Sequence, residues 1–350
     1  MKKNMTKMLL LATMLMASSS MWAQNFRVDG LRYVKKSANE VWVVKYEDYS
    51  RQKYEGEFVV PDEVVYEGTT YKVTGVDEWA FGDCQKLTSV TLGNNVKTLS
   101  TNSFAKSRSL AKVVLGKSIV KIGDFSFYEC GALTSIELPE SLTEIGESVF
   151  CSTGLTSIVI PDKVTTLGRA IFHSCANLAS VKIGKGMTTI AQEMFASCTS
   201  LKSVSIPDNV KTIENRAFSS TGAETVYIGK GVTDIERAAF AGCNSLKTVY
   251  AAPAKPATVN DRAFYTLDLS KISLVVPTGS KSAYQSADVW KEFGKITEMD
   301  NIETANIQQA TEQVTLKGVY DVNGRQLPAL QKGLNIVKMS NGETRKVVVK

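Results

Sequence analysis

The apolar residues of this chain recur with a long, fixed period. Reading from Leu87, equivalent segments begin at Leu110, Leu133, Leu155, Leu178, Leu201, Ala223 and Leu246, at spacings of 23, 23, 22, 23, 23, 22 and 23 residues. Three places after each start stand Val90, Val113, Ile136, Ile158, Val181, Val204, Val226 and Val249, and two places further Leu92, Leu115, Leu138, Ile160, Ile183, Ile206 and Ile228. This alternation predicts one short strand per segment. Gly93, Gly116, Pro139, Pro161, Gly184, Pro207 and Gly229 follow and end it in a turn. Two more apolar positions come next, as in Val164 and Leu167 or Val210 and Ile213. Seventeen places from the start stands a phenylalanine: Phe104, Phe127, Phe150, Phe172, Phe195, Phe218 and Phe240, with Phe81 and Phe264 as flanking copies. Residues just before it, such as Asn215-Arg216-Ala217, predict a short helical turn.

One such segment cannot bury its own apolar side, but stacked copies bury each other's. At roughly 4.8 Å per stacked strand, eight copies predict a rod or arc of about 40 Å. The expected architecture is an α/β solenoid with one continuous parallel sheet, short helical turns, and the phenylalanines as structural residues in an aromatic spine on the opposite wall.

The ends depart from the period. Lys2, Lys3 and Lys7, an apolar run from Met8 to Ala17, and Ser18, Ser19, Ser20 and Ala23 form the pattern of a secretory signal peptide over 1–23. Residues 24–80 read as an N-terminal β cap with an irregular first repeat, ahead of the array over 81–268. The span 269–300, with Leu269–Pro277 as a closing strand and Tyr284, Trp290 and Phe293 as apolar bulk, reads as a C-terminal cap. Polar residues 301–312 read as a linker. Residues 313–350 form a small β tail, with Asn323-Gly324 and Asn341-Gly342 as hairpin turns.

Units such as Leu133-Thr-Ser-Ile136-Glu-Leu138 fit the L-x-x-L-x-L form of leucine-rich repeats. The Ile-Pro-Asp turn, the Ala-Phe pair and the Cys three places after Phe resemble the BspA-like, or treponemal-type, repeats of bacterial surface proteins, over about residues 56–295. That resemblance implies an exported protein whose array recognises other macromolecules, adhesin-like in some members. The tail resembles the C-terminal sorting domain of type IX secretion substrates in Bacteroidetes, through Val319-Tyr320-Asp321, Gly324-Arg325, Gly333-Leu334-Asn335-Ile336-Val337 and the basic finish Lys346–Lys350. A small structural β module without an export role is the competing reading of the same residues.

Chemistry changes this picture little. The chain has one histidine, His173, no G-x-S-x-G, no C-x-x-C and no H-E-x-x-H, so no catalytic, cofactor-binding or metal-binding residue is expected. The net charge is +6, and removal of residues 1–23, which hold three lysines and no acid, leaves +3. That is too mild for a nucleic-acid partner, and no apolar run after residue 23 is long enough for a membrane span. Cys84, Cys130, Cys175, Cys198 and Cys243 share one column, with Cys151 two places earlier in its unit. They read as small buried thiols, although Cys175 and Cys198 could meet in adjacent units. Gly184-Lys185-Gly186 and Gly229-Lys230-Gly231 read as repeat turns rather than phosphate loops, and the charged members of the position after the turn, which runs Asn94, Lys117, Glu140, Asp162, Lys185, Asp208 and Lys230, as a ladder of weak ion pairs.

The candidate binding face is the solvent side of the strands. Its outward positions include Lys112, Glu137, Lys182, Tyr227 and Tyr250, the two tyrosines adjacent in the stack and of a type enriched in binding hot spots. The expected partner is an extracellular protein, with a glycan, bound as an accessory of glycan uptake, as the alternative.

Overall fold

The computed structural model describes residues 25–46, 54–300, 302, 316–321, 325–327, 333–339 and 344–349. The signal-peptide segment, the Asn323-Gly324 and Asn341-Gly342 turns and, apart from Ile302, the 301–312 segment lie outside the described residues. The chain divides into two compact units, residues 1–153 with 166–168, and residues 154–165 with 169–350.

In the first unit, Asn25–Val28, Leu31–Lys35 and Glu40–Val44 form an antiparallel meander, and Glu40–Val44 then pairs in parallel with Thr69–Val76. Thr69–Val76 also closes a hairpin with Glu63–Tyr66. From Thr69–Val76 a ladder of two-residue parallel strands runs through Thr98–Leu99, Lys121–Ile122, Glu144–Ile145 and Thr166–Leu167. Each of these strands carries the second apolar column of its repeat, and Leu99, Ile122 and Ile145 are buried. A second ladder holds the alternating runs, Gly56–Val60, Leu87–Leu92 and Lys112–Val114, with Val90 paired to Val113 in register. The second unit repeats this plan. Short strands Thr189–Ile190, Thr212–Ile213, Asp234–Ile235 and Thr258–Val259 make one ladder. Ser203–Ile206, Thr225–Ile228, Thr248–Ala251, Ser273–Pro277 and Lys295–Met299 make the other, and Ser157–Val159 pairs with Ser180–Lys182.

The single continuous sheet expected from the alternation is therefore two ladders in the first unit, and in the second unit two ladders and a separate two-stranded pair. Each coil turns at its Gly or Pro and presents a second pairing edge at the following apolar pair. Leu269–Pro277 also does not close the second unit. Leu269–Lys271 is a 3-10 turn, and Ser273–Pro277 is followed by Lys295–Met299 on its free edge.

The phenylalanines form part of the core of each unit. Phe81, Phe104, Phe127 and Phe150 stack in the first unit with centroids 5.0, 5.1 and 5.4 Å apart and interplanar angles of 2–8°. Phe172, Phe195, Phe218, Phe240 and Phe264 stack in the second at 5.3–5.5 Å. All of these rings are buried, and each pair adds about 0.5–1.5 kcal/mol beyond the area it removes from water. Tyr54 packs 4.8 Å from Phe81, while Trp290 and Phe293 meet Phe264 edge-on. Helix Lys281–Ser286 places Tyr284 against Trp290, and the two polar tips reach the Pro253 and Ala257 carbonyls.

The turn around each phenylalanine is not helical: among the described residues, none between 81 and 268 is in a helix. The residues two places before and two places after Phe adopt left-handed backbone, as at Asn102 and Lys106 (φ 57° and 62°) or Glu193 and Ser197 (56° and 61°). This alternation of hand turns the amides of positions −2, 0 and +2 toward the neighbouring coil. Asn102, Phe104 and Lys106 donate to the Asp124, Ser126 and Tyr128 carbonyls at 2.7–2.8 Å. A helical turn would keep those bonds within one coil. The left-handed residues cost roughly 1–2 kcal/mol each, which the inter-coil ladder offsets.

Toward the C-terminus, Leu316–Tyr320, Gln326–Leu327, Gly333–Met339 and Thr344–Val349 form a four-stranded antiparallel sheet with Leu316–Tyr320 and Gly333–Met339 central. Val319 and Val337 face each other, both buried.

Candidate binding surfaces

The outward positions of the alternating strands behave differently along the chain. In the first unit Val59, Thr91 and Val114 stand in one register row. Val59 is 68% exposed and Val114 43%. Lys112 is exposed beside Ser89, and Glu137 is exposed on a segment that forms no strand. In the second unit Val159 and Lys182 are register partners, and both are exposed.

The tyrosine pair departs from expectation. Tyr227 and Tyr250 are register partners, but Tyr227 is only 3% exposed and packs with Ala252 and Ile302, with Tyr250 half-buried against the same cluster. The next residue in the row, Val275, is buried as well. Burial, together with the charge and hydrogen bond of Asp208, pushes the Tyr227 phenol up to about 12. Tyr227 is therefore covered by Ile302, a residue from the segment read as a polar linker, and offers no open surface.

Two further columns gain a physical role. The Asp after the turn proline accepts a backbone N–H from the next coil: Asp162 from Lys185 at 2.9 Å and Asp208 from Lys230 at 2.8 Å. These side-chain–backbone bonds tie successive turns. A Cβ on Gly184 would sit 2.4 Å from the Pro161 oxygen, and one on Gly231 2.1 Å from the Asp208 oxygen. The Gly-Lys-Gly turns thus exist for close stacking of coils.

All six cysteines are buried thiols. Cys130, Cys198 and Cys243 each donate S–H to the carbonyl of the preceding repeat's phenylalanine, Phe104, Phe172 and Phe218, at 3.1–3.2 Å. Ser107 fills the same position and donates to Phe81 at 2.6 Å while accepting the Cys84 N–H. With Thr153 and Thr221, the column is a row of small buried donors, so its cysteines are hydrogen-bonding residues as well as apolar filling. Burial pushes the Cys130 thiol up to about 12 and raises those of Cys151 and Cys243.

A groove of about 800 Å³ opens on the phenylalanine-turn side of the second unit, lined by Arg216, Arg237 and Arg262 together with His173, Glu193 and Tyr265. His173 Nδ1 lies 2.9 Å from Ser174 Oγ. Sequence reasoning missed this groove because the arginines stand 21 and 25 residues apart, off the repeat period. Among the described residues, no group of three or more His, Cys, Asp or Glu could hold a metal ion, and no helix is long and apolar enough to cross a membrane.

The coil geometry agrees with comparisons to known proteins. The chain is similar to a leucine-rich repeat protein from Bacteroides ovatus, 23% identical with a TM-score of 0.58, over 78% of this chain and 76% of that one. It is also similar to a leucine-rich repeat protein of T. pallidum, 25% identical with a TM-score of 0.46, over 64% and 91%. No curated protein matches it. The model for the BspA type leucine rich repeat region matches residues 68–179 and 165–287, with six copies. With most of its length covered by that match, the chain belongs to the BspA-type leucine-rich-repeat family and folds as its solenoid.

Proposed function

We propose that this repeat scaffold is an exported protein, secreted or held at the outer cell surface, that binds an extracellular protein through the solvent face of its alternating strands and catalyses no reaction. The observation that carries the reading is the row Val59–Thr91–Val114, whose two valines are left exposed on a regular sheet edge to edge. Apolar side chains held open on a regular strand face are surface that a partner can cover. Ser89 and Lys112 flank the row as a polar register pair. The basic start and apolar run before Gln24 support export, and the family match supports a surface location. The tail's sorting-domain motifs support delivery through type IX secretion. The glycan alternative relied on exposed aromatics along the strands, and Tyr227 is buried.

The test is binding of the full chain to an array of extracellular matrix proteins and glycans, beside a Val59→Ser/Val114→Ser variant. Both side chains are exposed, so the variant keeps the core.

A further inference from the structure

We propose that the groove on the phenylalanine-turn side of the second unit is a second binding site, whose ligand is a neutral glycan. It uses a different surface from the strand face and does not depend on that reading.

The groove continues into an adjoining cavity of about 550 Å³, because Asn215 and Arg237 line both. Ligand sites span roughly 300–1,000 Å³, so each part has room for a compact group. The charges of the walls are balanced. Arg216, Arg237 and Arg262 are matched across the two cavities by Glu193, Asp234 and Glu236, and Arg216 meets Glu193 at 3.5 Å. Walls of mixed sign make no field that gathers a polyanion or a polycation.

An apolar ligand or a peptide finds little to hold. The aliphatic residues of the larger groove are three alanines, Ala196, Ala238 and Ala241, whereas sites for apolar ligands are lined mainly by large hydrophobic side chains. The amides of Glu193, Ser197, Arg216 and Ala238 donate to the Asn215, Ser219, Arg237 and Arg262 carbonyls at 2.8–3.1 Å. These groups are spent between coils and are not open to an added peptide strand.

The groove instead offers polar side chains and one aromatic ring. Gln192 and Asn215 use their backbone N–H groups on Glu214 and Glu236 at 2.8 and 2.9 Å. Among the described residues, their side-chain amides make no hydrogen bond to protein. Each such amide carries donor and acceptor side by side, the pairing that neighbouring sugar hydroxyls satisfy. Tyr265, in the same groove, is 62% exposed. Its column holds Ala105, Ala196 and Ala241 in other coils, so the coil does not require the ring. An open aromatic face and unpartnered amides in one groove match the C–H face and the hydroxyl rim of a pyranose.

The experiment is affinity electrophoresis of the full chain through gels carrying galactomannan, xyloglucan or laminarin, with alginate as the polyanionic control. The expected result is retardation by at least one neutral polysaccharide that persists at high salt, since no ion pair to the ligand is involved. An Asn215→Ala/Tyr265→Ala variant should bind at least about tenfold more weakly with unchanged melting, and Tyr265→Phe, which keeps the ring, should retain binding. The Val59→Ser/Val114→Ser variant should be retarded like the parent chain, which separates this site from the strand face. No retardation in any neutral gel, retardation by alginate alone, or equal retardation of the double variant and the parent would each overturn the proposal.

Discussion

The ring of Tyr227 lies beneath Ile302, so that a tyrosine on the outward side of a strand is almost wholly removed from water. The contact joins the fifth residue of one repeat to a side chain beyond the last ladder strand. An Ile302→Ala substitution should expose the ring and cost roughly 2–4 kcal/mol, the usual range for a buried aliphatic truncation. Tyrosine fluorescence quenching by added iodide reads the exposure directly. A ring equally shielded in both proteins would show that some other residue covers it.

Burial of phenols makes stability depend on alkaline pH. Tyr54 and Tyr227 are both held at about 12 in the folded chain, first by burial, and Tyr33 and Tyr284 are raised further by the same cause. A raised phenol favours the folded state while protonated. Its contribution is complete below the unfolded value near 10 and is lost as pH climbs toward the folded value. Denaturation midpoints should therefore be flat with respect to these groups up to about pH 10 and fall steeply above it. Phenolate absorbance should show a late class of tyrosines that ionises together with unfolding.

The donor column predicts a hierarchy of substitutions. Ser107→Ala leaves the Phe81 carbonyl and the Cys84 amide without their buried partner, at a cost of about 1–3 kcal/mol. Ser107→Cys restores a donor of the kind used at Cys130 and should recover most of it. Urea unfolding of the three proteins checks the order. Equal midpoints for the alanine and cysteine variants would mean that filling volume, not hydrogen bonding, is what the column supplies.

In the second aromatic stack, Phe172→Ala should cost roughly 3–5 kcal/mol, because it opens a cavity beside Phe195 and removes a ring contact at 5.5 Å. A loss below about 1 kcal/mol would show that the neighbouring rings collapse into the gap.

Much of this architecture is legible in the chain, for reasons that differ by column. The period, the alternating strands and the phenylalanine spine are visible because the same side chain must recur wherever coils stack. The alternating hand of the turns is hidden, since residues as different as Asn102, Phe125, Ala170 and Arg216 occupy the left-handed position. What they share is an inter-coil amide bond made by backbone. The donor column is half visible: cysteine marks it, while Ser107, Thr153 and Thr221 disguise it. Tyr227 misleads because alternation tells which side of a strand a residue faces, not what lies over that side. Its cover, Ile302, comes from far along the chain in a segment that reads as polar. The arginine groove is hidden for the opposite reason, since its members break the period.

The central functional claim rests on the exposed row of Val59, Thr91 and Val114, and the matrix-protein and glycan array with the Val59→Ser/Val114→Ser variant tests it most directly. Truncating two exposed contacts at an interface centre should weaken a genuine protein partner by at least about tenfold, or ~1.4 kcal/mol, with the melting temperature unchanged. A protein ligand retained at full affinity by the variant, or no protein ligand at all, would contradict the strand-face account.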